Sequence, residues 1–246
     1  MQTEAPQLTS ETRFERKYRC TYAQYYAVKN ALSSFIIPDP YTKKAPINKY
    51  LVRSLYFDSY DLPILLEKIN GNASRVKFRL RTYGESAQEN PDIRVEMKVR
   101  QANLTKKYGA LIDLEACTHF LACRHWEKPS DPVLTEFERQ VHARSLFPKI
   151  LVEYRREGFF THDIKPLRIT FDHKMKSTTS RNLFPDQPKW QKHLGSIIVL
   201  EIKHQGELPR WLLNIVQSNQ LRLVSNSKFA LGMMSSRRDL IFQGWR

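Results

Sequence analysis

Residues 75–83, RVKFRLRTY, alternate a cation with a bulky side chain, so in a strand Arg75, Lys77, Arg79 and Arg81 share one face while Val76, Phe78 and Leu80 share the other. Residues 92–100, DIRVEMKVR, repeat the pattern with Arg94, Glu96, Lys98 and Arg100 opposed to Ile93, Val95, Met97 and Val99. The turn formers of GESAQENPD (84–92) lie between the two segments, and together they predict a long hairpin.

Outward from this hairpin the alternation recurs. Arg13, Glu15, Lys17 and Arg19 share a face; Arg168, Thr170 and Asp172 oppose Leu167, Ile169 and Phe171; Glu201 and Lys203 oppose Ile198, Leu200 and Ile202. Residues 50–58 and 150–156 read as further strands, and 21–35, 135–146 and 211–217 as helices. Residues 111–147 read as mostly helical, broken at Pro129 and Pro132, while 37–46 and 174–195 read as connectors.

A solvated sheet face accounts for charge on any one strand. Five such strands point to a shared concave site, because stacked cations repel one another there unless an anion or interspersed carboxylates neutralise them. The fold expected is α+β, an antiparallel closed β-barrel of roughly eight strands with a charged lumen and helices packed outside. Residues 1–11 read as a flexible N-terminal segment and 12–246 as a single domain.

Lys and Arg total 40 and Asp and Glu 25, a formal surplus of +15 that calls for an anionic partner rather than a neutral apolar ligand. Hydrophobic residues make up 41%, enough for a buried core and against disorder. No apolar run approaches the ~18–20 residues of a membrane span, and the first residues lack the pattern of a signal peptide. Three cysteines are too few for a disulfide framework, so a reduced, cytoplasmic setting is expected. The spacing of Cys117, His119, Cys123 and His125 favours a helix over a zinc site. Neither GxxxxGK[ST] nor GxGxxG is present, and only 8 glycines serve the whole chain. Phosphate is therefore expected to be held by arginine forks and lysine point charges rather than by backbone.

In order and spacing, RFERKY (13–18), SLYFDS (54–59), RVKFRLRTYG (75–84), VEMKVR (95–100), LTKKYG (104–109), VEYRREGF (152–159), LRITFD (167–172), VLEIK (199–203) and SKFALG (227–232) resemble the polyphosphate polymerase domain of the vacuolar transporter chaperone (VTC) type, within the CYTH-like triphosphate tunnel enzymes. The resemblance implies a tunnel that binds a nucleoside triphosphate and a divalent metal, Mn²⁺ or Mg²⁺, and moves the terminal phosphoryl group of ATP or another nucleoside triphosphate onto inorganic polyphosphate. By the same resemblance Lys17, Arg79, Arg81, Lys98, Arg156, Arg168 and Glu201 are the candidate catalytic residues. Lys77, Lys106, Lys107, Tyr154, Lys203 and Lys228 are candidate substrate ligands, with Lys106 and Lys107 left as alternatives for one position. Glu201 is the candidate metal ligand, with Glu15 and Glu96 as secondary ones. Many tunnel hydrolases begin with an ExExK strand; Arg13 at the first of those positions favours the polymerase branch. The alternatives are a triphosphatase of the same fold and a non-catalytic binder of polyphosphate or nucleic acid.

Overall fold

The computed structural model describes residues 14–236 except 90, 103, 130, 164, 165 and 194, so the expectations for residues 1–11 and for Arg13 lie outside the described residues. In chain order the elements are β1 (Phe14–Cys20), α1 (Tyr22–Leu32), β2 (Ile36–Pro38), α2 (Pro40–Lys44), β3 (Tyr50–Asp58), α3 (Pro63–Ile69), β4 (Ser74–Thr82), β5 (Ile93–Gln101), β6 (Leu104–Ile112), α4 (Leu114–Cys123), α5 (Pro132–Ala143), β7 (Phe147–Thr161), β8 (Arg168–Thr179), β9 (Gln191–Lys192), β10 (Ile198–His204), α6 (Arg210–Ser218) and α7 (Lys228–Ser236). The architecture is α+β, built on one large antiparallel sheet in the order β1-β10-β8-β7-β3-β4-β5-β6, with β2 added to β7 and β9 to β8.

The expected hairpin is β4 and β5, in which Arg79 faces Glu96 and Phe78 faces Met97 across the ladder. Its apolar face is covered by α4 and α5: Phe78, Leu80, Val95 and Met97 pack with Phe120 and Phe137, and the Phe78 and Phe137 rings meet edge on at 5.7 Å. At the other end of the sheet Ile169, Phe171, Leu200 and Ile202 pack with Tyr25, Val28, Leu212 and Val216 of α1 and α6. Each such fully buried side chain contributes roughly 1.5–3 kcal/mol. The helices start where the sequence supplies caps: Thr21 and Gln24 close α1 reciprocally, Asp113 caps α4, and Asp131 caps α5 ahead of Pro132.

The sheet curls so that its charged face is concave, but it is not closed by hydrogen bonds, which corrects the expectation of a closed barrel. The reason is a chain segment standing at one free edge. Leu223 bridges to Tyr18, and the Val224 amide donates to the Lys17 carbonyl at 2.8 Å, so the outer edge of β1 is occupied before β6 can reach it. An ion pair between Glu15 of β1 and Lys98 of β5 (3.1 Å) spans the gap.

Four further expectations change. Residues 111–112 finish strand β6, so the helical stretch begins only at Leu114. Residues up to Thr179 continue β8, and β9 lies in the same supposed connector. The 37–46 connector contains the end of β2 and all of α2, which Asp39 caps. Helix α7, not anticipated from sequence, lies on the concave face: a Cβ on Gly232 would meet the side chains of Val152 at 3.0 Å and Ile150 at 3.2 Å. That close approach needs glycine, and it places α7 across one end of the concavity.

Candidate phosphate-binding cavity

Within the curled sheet, six strands and the start of α7 turn charged or hydroxylated side chains inward. β4 brings Lys77, Arg79 and Arg81; β1 brings Glu15 and Lys17; β10 brings Glu201 and Lys203; β5 brings Lys98; β3 and β7 bring Tyr56, Tyr154 and Arg156; and the start of α7 brings Ser227 and Lys228. These side chains line an inner cavity of about 90 Å³. A vestibule of about 400 Å³ adjoins it, sharing Glu15, Lys17, Lys77, Lys98 and Ser227 and adding Lys68, Arg75, Arg100 and residues 223–226.

Three buried carboxylates order the inner cations. Glu96, 1% exposed, sits behind the lining, accepts from Arg79 Nε at 2.5 Å, lies 3.8 Å from Arg81 Nε and pairs with Lys107. Burial pushes its carboxyl up, but Arg79, Arg81 and Lys107 outweigh that and hold it far below the usual carboxylate range. Asp172 grips Arg156 with two bonds, at 2.6 Å to Nε and 2.8 Å to Nη2, and pairs with Lys228 Nζ at 2.6 Å. Burial disfavours its charge, and Arg156 and Lys228 reverse the effect, leaving the carboxyl lowered. Glu201 lies 3.2 Å from Lys203, 3.7 Å from Lys228 and 3.8 Å from Lys17. Burial again raises its pKa, and Lys203, Lys17 and Lys228 carry it well below the ordinary value.

Hydroxyls complete the positioning. Arg79 Nη1 donates to Tyr56 Oη at 3.1 Å, and Arg81 donates through Nε to Ser54 Oγ at 3.0 Å and through Nη2 to Tyr154 Oη at 3.5 Å. Burial raises the Tyr56 phenol, but Arg79, Arg81 and Lys228 pull it below its normal pKa. Lys203 is drawn up by Glu201, yet burial together with Arg156 and Lys98 brings it down to about 8.

Of the candidate site residues, Lys17, Lys77, Arg79, Arg81, Lys98, Tyr154, Arg156, Glu201, Lys203, Lys228 and Glu15 line this one cavity. Lys107 pairs with Glu96 just behind it, whereas Lys106 is exposed and faces Val99 in the ladder, on the opposite face from Lys107. Arg168 turns to the far rim, donating from Nη2 to Asp39 Oδ2 at 2.9 Å and to Tyr50 Oη at 3.3 Å. Asp39 also caps α2, and Gly158 makes room for it: a Cβ there would come within 2.1 Å of Asp39 Oδ2. Asp172, Asp39, Tyr56 and Ser227 were not singled out from sequence. Strand alternation already placed Asp172 beside Arg168, but Ser227 and Asp39 lie outside any strand pattern.

As a cation site the cavity offers two neighbouring carboxylates, Glu201 and Glu15, which lie against one another on the paired strands β10 and β1. They fit a hard divalent ion that takes its other oxygens from phosphate and water. Glu96 does not fit, since Arg79, Arg81 and Lys107 enclose it outside the lining. Among the described residues no group of three or more His, Cys, Asp or Glu side chains is arranged to hold a metal, the Cys123 and His119 neighbours on α4 included. No described helix is long and apolar enough to cross a membrane.

A family model described as the VTC domain matches residues 12–237. No curated protein matches the sequence. Among solved structures, the chain is similar to a Bacillus halodurans protein provisionally described as an adenylate cyclase, at 14% identity and a TM-score of 0.48 over 88% of this chain and 94% of that one. It is also similar to a Vibrio parahaemolyticus protein given the same provisional description, at 12% identity and a TM-score of 0.46 over 89% of this chain and 96% of that one. The PH1819 protein of Pyrococcus horikoshii follows at 10% identity and a TM-score of 0.45, over 89% of this chain and 97% of that one. These likenesses are too distant to carry a function.

Proposed function

The chain belongs to the VTC domain family, and from that premise we propose that it is a metal-dependent polyphosphate polymerase, moving the terminal phosphoryl group of ATP or another nucleoside triphosphate onto a growing inorganic polyphosphate chain. The observation that carries the reading is the convergence of eight cations, Lys17, Lys77, Arg79, Arg81, Lys98, Arg156, Lys203 and Lys228, on one cavity. Phosphoryl transfer asks little covalent chemistry of a protein; it needs the reacting oxygens held in line and their charge neutralised. The terminal oxygen of the chain forms the new bond to the γ-phosphorus, the bond to the bridging oxygen breaks, and ADP departs with that electron pair.

In this reading the roles follow the pairings. Arg79, Arg81 and Arg156 are held by Glu96, Ser54, Tyr56 and Asp172, so their remaining donors are fixed in direction before substrate arrives and can clasp phosphate oxygens two at a time. Lys17, Lys98, Lys203 and Lys228 act as point charges around the chain. Glu201, with Glu15, would hold a Mn²⁺ or Mg²⁺ ion, which would supply positive charge against the negative charge that develops in the transfer. Arg168 is a positioning residue at the rim, since it meets Asp39 and Tyr50 rather than the cavity. Lys106 has no part in the site, and nucleic acid is not the expected partner.

Incubation with ATP and Mn²⁺ is expected to yield ADP together with long acid-labile phosphate chains. Glu201→Gln is expected to lower that turnover by at least about 100-fold, the scale of losing one charge-stabilising group. Orthophosphate released without chain growth would assign the cavity to triphosphate hydrolysis instead. Tight polyphosphate binding with neither product would make the protein a binding module.

A further inference from the structure

Seven of the eight cations lining the inner cavity have a carboxylate partner. Lys17 and Lys98 pair with Glu15, Arg79 and Arg81 with Glu96, Arg156 and Lys228 with Asp172, and Lys203 with Glu201. Lys77 makes no such pair among the described residues: its Nζ donates to the neutral Ser227 Oγ at 2.9 Å. The groups facing it are Lys17 from β1, Lys98 from β5, Lys68 from α3, Arg75 from its own strand and Lys228 from the start of α7. Glu15, the carboxylate lining both the inner cavity and the vestibule, is already divided between Lys17 and Lys98.

A partly desolvated ammonium among several cations, with no carboxylate of its own, is the least favoured cation in such a cluster, and the proton is what it gives up. Burial, then Lys17, Lys98, Lys68 and Arg75, push Lys77 well below the ordinary lysine range. A polyanion brought into the same space reverses the field and restores the charged form.

We propose that a polyanion enters this cavity together with a proton, which Lys77 accepts from solvent. The lone pair of Nζ forms the new N–H bond, and the solvent donor is left as its conjugate base. The inference rests on the reading of the cavity as a phosphate site and adds a regulation to it: capture of a condensed phosphate is stronger in acid and weaker in alkali. Lys77 also stands where the vestibule opens into the inner cavity, so the proton arrives at the point that joins the two.

The test is binding of long-chain polyphosphate, whose interior groups are strong acids, measured from about pH 6 to about pH 9 by calorimetry in buffers of different ionisation enthalpy. Above the pH at which free Lys77 loses its proton, wild-type affinity is expected to fall by up to about tenfold per pH unit, with about one proton taken up on binding. Lys77→Arg keeps its charge throughout, so it is expected to bind without that uptake and with a flatter pH profile. Lys77→Met is expected to lose both the uptake and affinity. Lys203, brought down to about 8, is common to all three proteins, so the differences isolate Lys77. Equal proton uptake by wild type and Lys77→Arg would overturn the inference while leaving the polymerase reading standing; failure of wild type to bind polyphosphate at all would overturn both. Because Lys77→Arg keeps the charge and the stem, a folding defect confined to Lys77→Met leaves the decision with that comparison.

Discussion

Arg156 and Arg100 are both arginines on the concave side of one sheet, yet they are built into the molecule differently. Arg156, 6% exposed, is locked by two bonds to Asp172, which Lys228 also contacts. Arg100, at the vestibule, is exposed and donates to the Ala102 carbonyl at 2.8 Å. Apart from Lys77, the inner cavity is a region where cations are fixed in advance by carboxylates, whereas Arg100 at the vestibule is left for whatever anion comes. Preorganised charge suits a reacting phosphoryl group, whereas unneutralised charge suits capture of a long polyanion and is the part that salt screens.

The largest effect that separates the two regions is on stability. Arg156→Ala leaves Asp172 buried with Lys228 as its remaining partner, and is expected to cost about 3 kcal/mol, the low end for breaking a buried pair. For a chain of this size that is a fall in melting temperature of roughly 6–12 °C. The same region sets the acid limb of stability. The Asp172 and Glu96 carboxyls are lowered in the fold, so their stabilisation is present above the ordinary carboxylate range and is lost as pH falls through their folded values. Unfolding followed between about pH 5 and about pH 2 should show a steep loss of stability that Glu96→Gln flattens.

A smaller effect is expected at the rim where Arg168 is held. Gly158→Ala forces a methyl against Asp39 and is expected to cost about 1–3 kcal/mol, as overpacking does. Arg168 should be released with it, and a structure of the variant with the Asp39 and Arg168 bond intact would remove that rim from the fixed region. The smallest effect is expected from Arg100→Ala, within about 0.5 kcal/mol of the parent in stability. Its polyphosphate affinity should nevertheless drop and depend less on salt. An Arg100→Ala protein as destabilised as Arg156→Ala would erase the distinction between the regions.

Much of this was legible in the sequence because a strand has a period of two and the chain writes charge in that period. The β4 and β5 hairpin and the inward set from Lys77 to Arg81 follow from alternation, whereas Arg156 was legible only through the family resemblance of VEYRREGF. The alternatives Lys106 and Lys107 were not separable until the ladder put Lys107 opposite Lys98 and Lys106 opposite Val99. What was not legible depends on contacts between distant parts of the chain. Nothing local in SKFALG says that Lys228 reaches Asp172 or that Gly232 admits α7 to the concave face. The open edge is of the same kind: residues 223–224 occupy β1 through one bridge and one hydrogen bond, too short a pairing to leave a periodic trace. Asp39 lies in a Pro-rich stretch that reads as a connector, and its burial against Gly158 is a matter of packing alone.

The central claim is that these cations converge on an enclosed space that receives condensed phosphate. A crystal structure of the protein soaked with tripolyphosphate and Mn²⁺ tests it most directly. The account predicts phosphate oxygens bonded to Arg79, Arg81 and Arg156 within the curl of the sheet; tripolyphosphate bound on the outer helical surface, with the space between those arginines holding water, would contradict it.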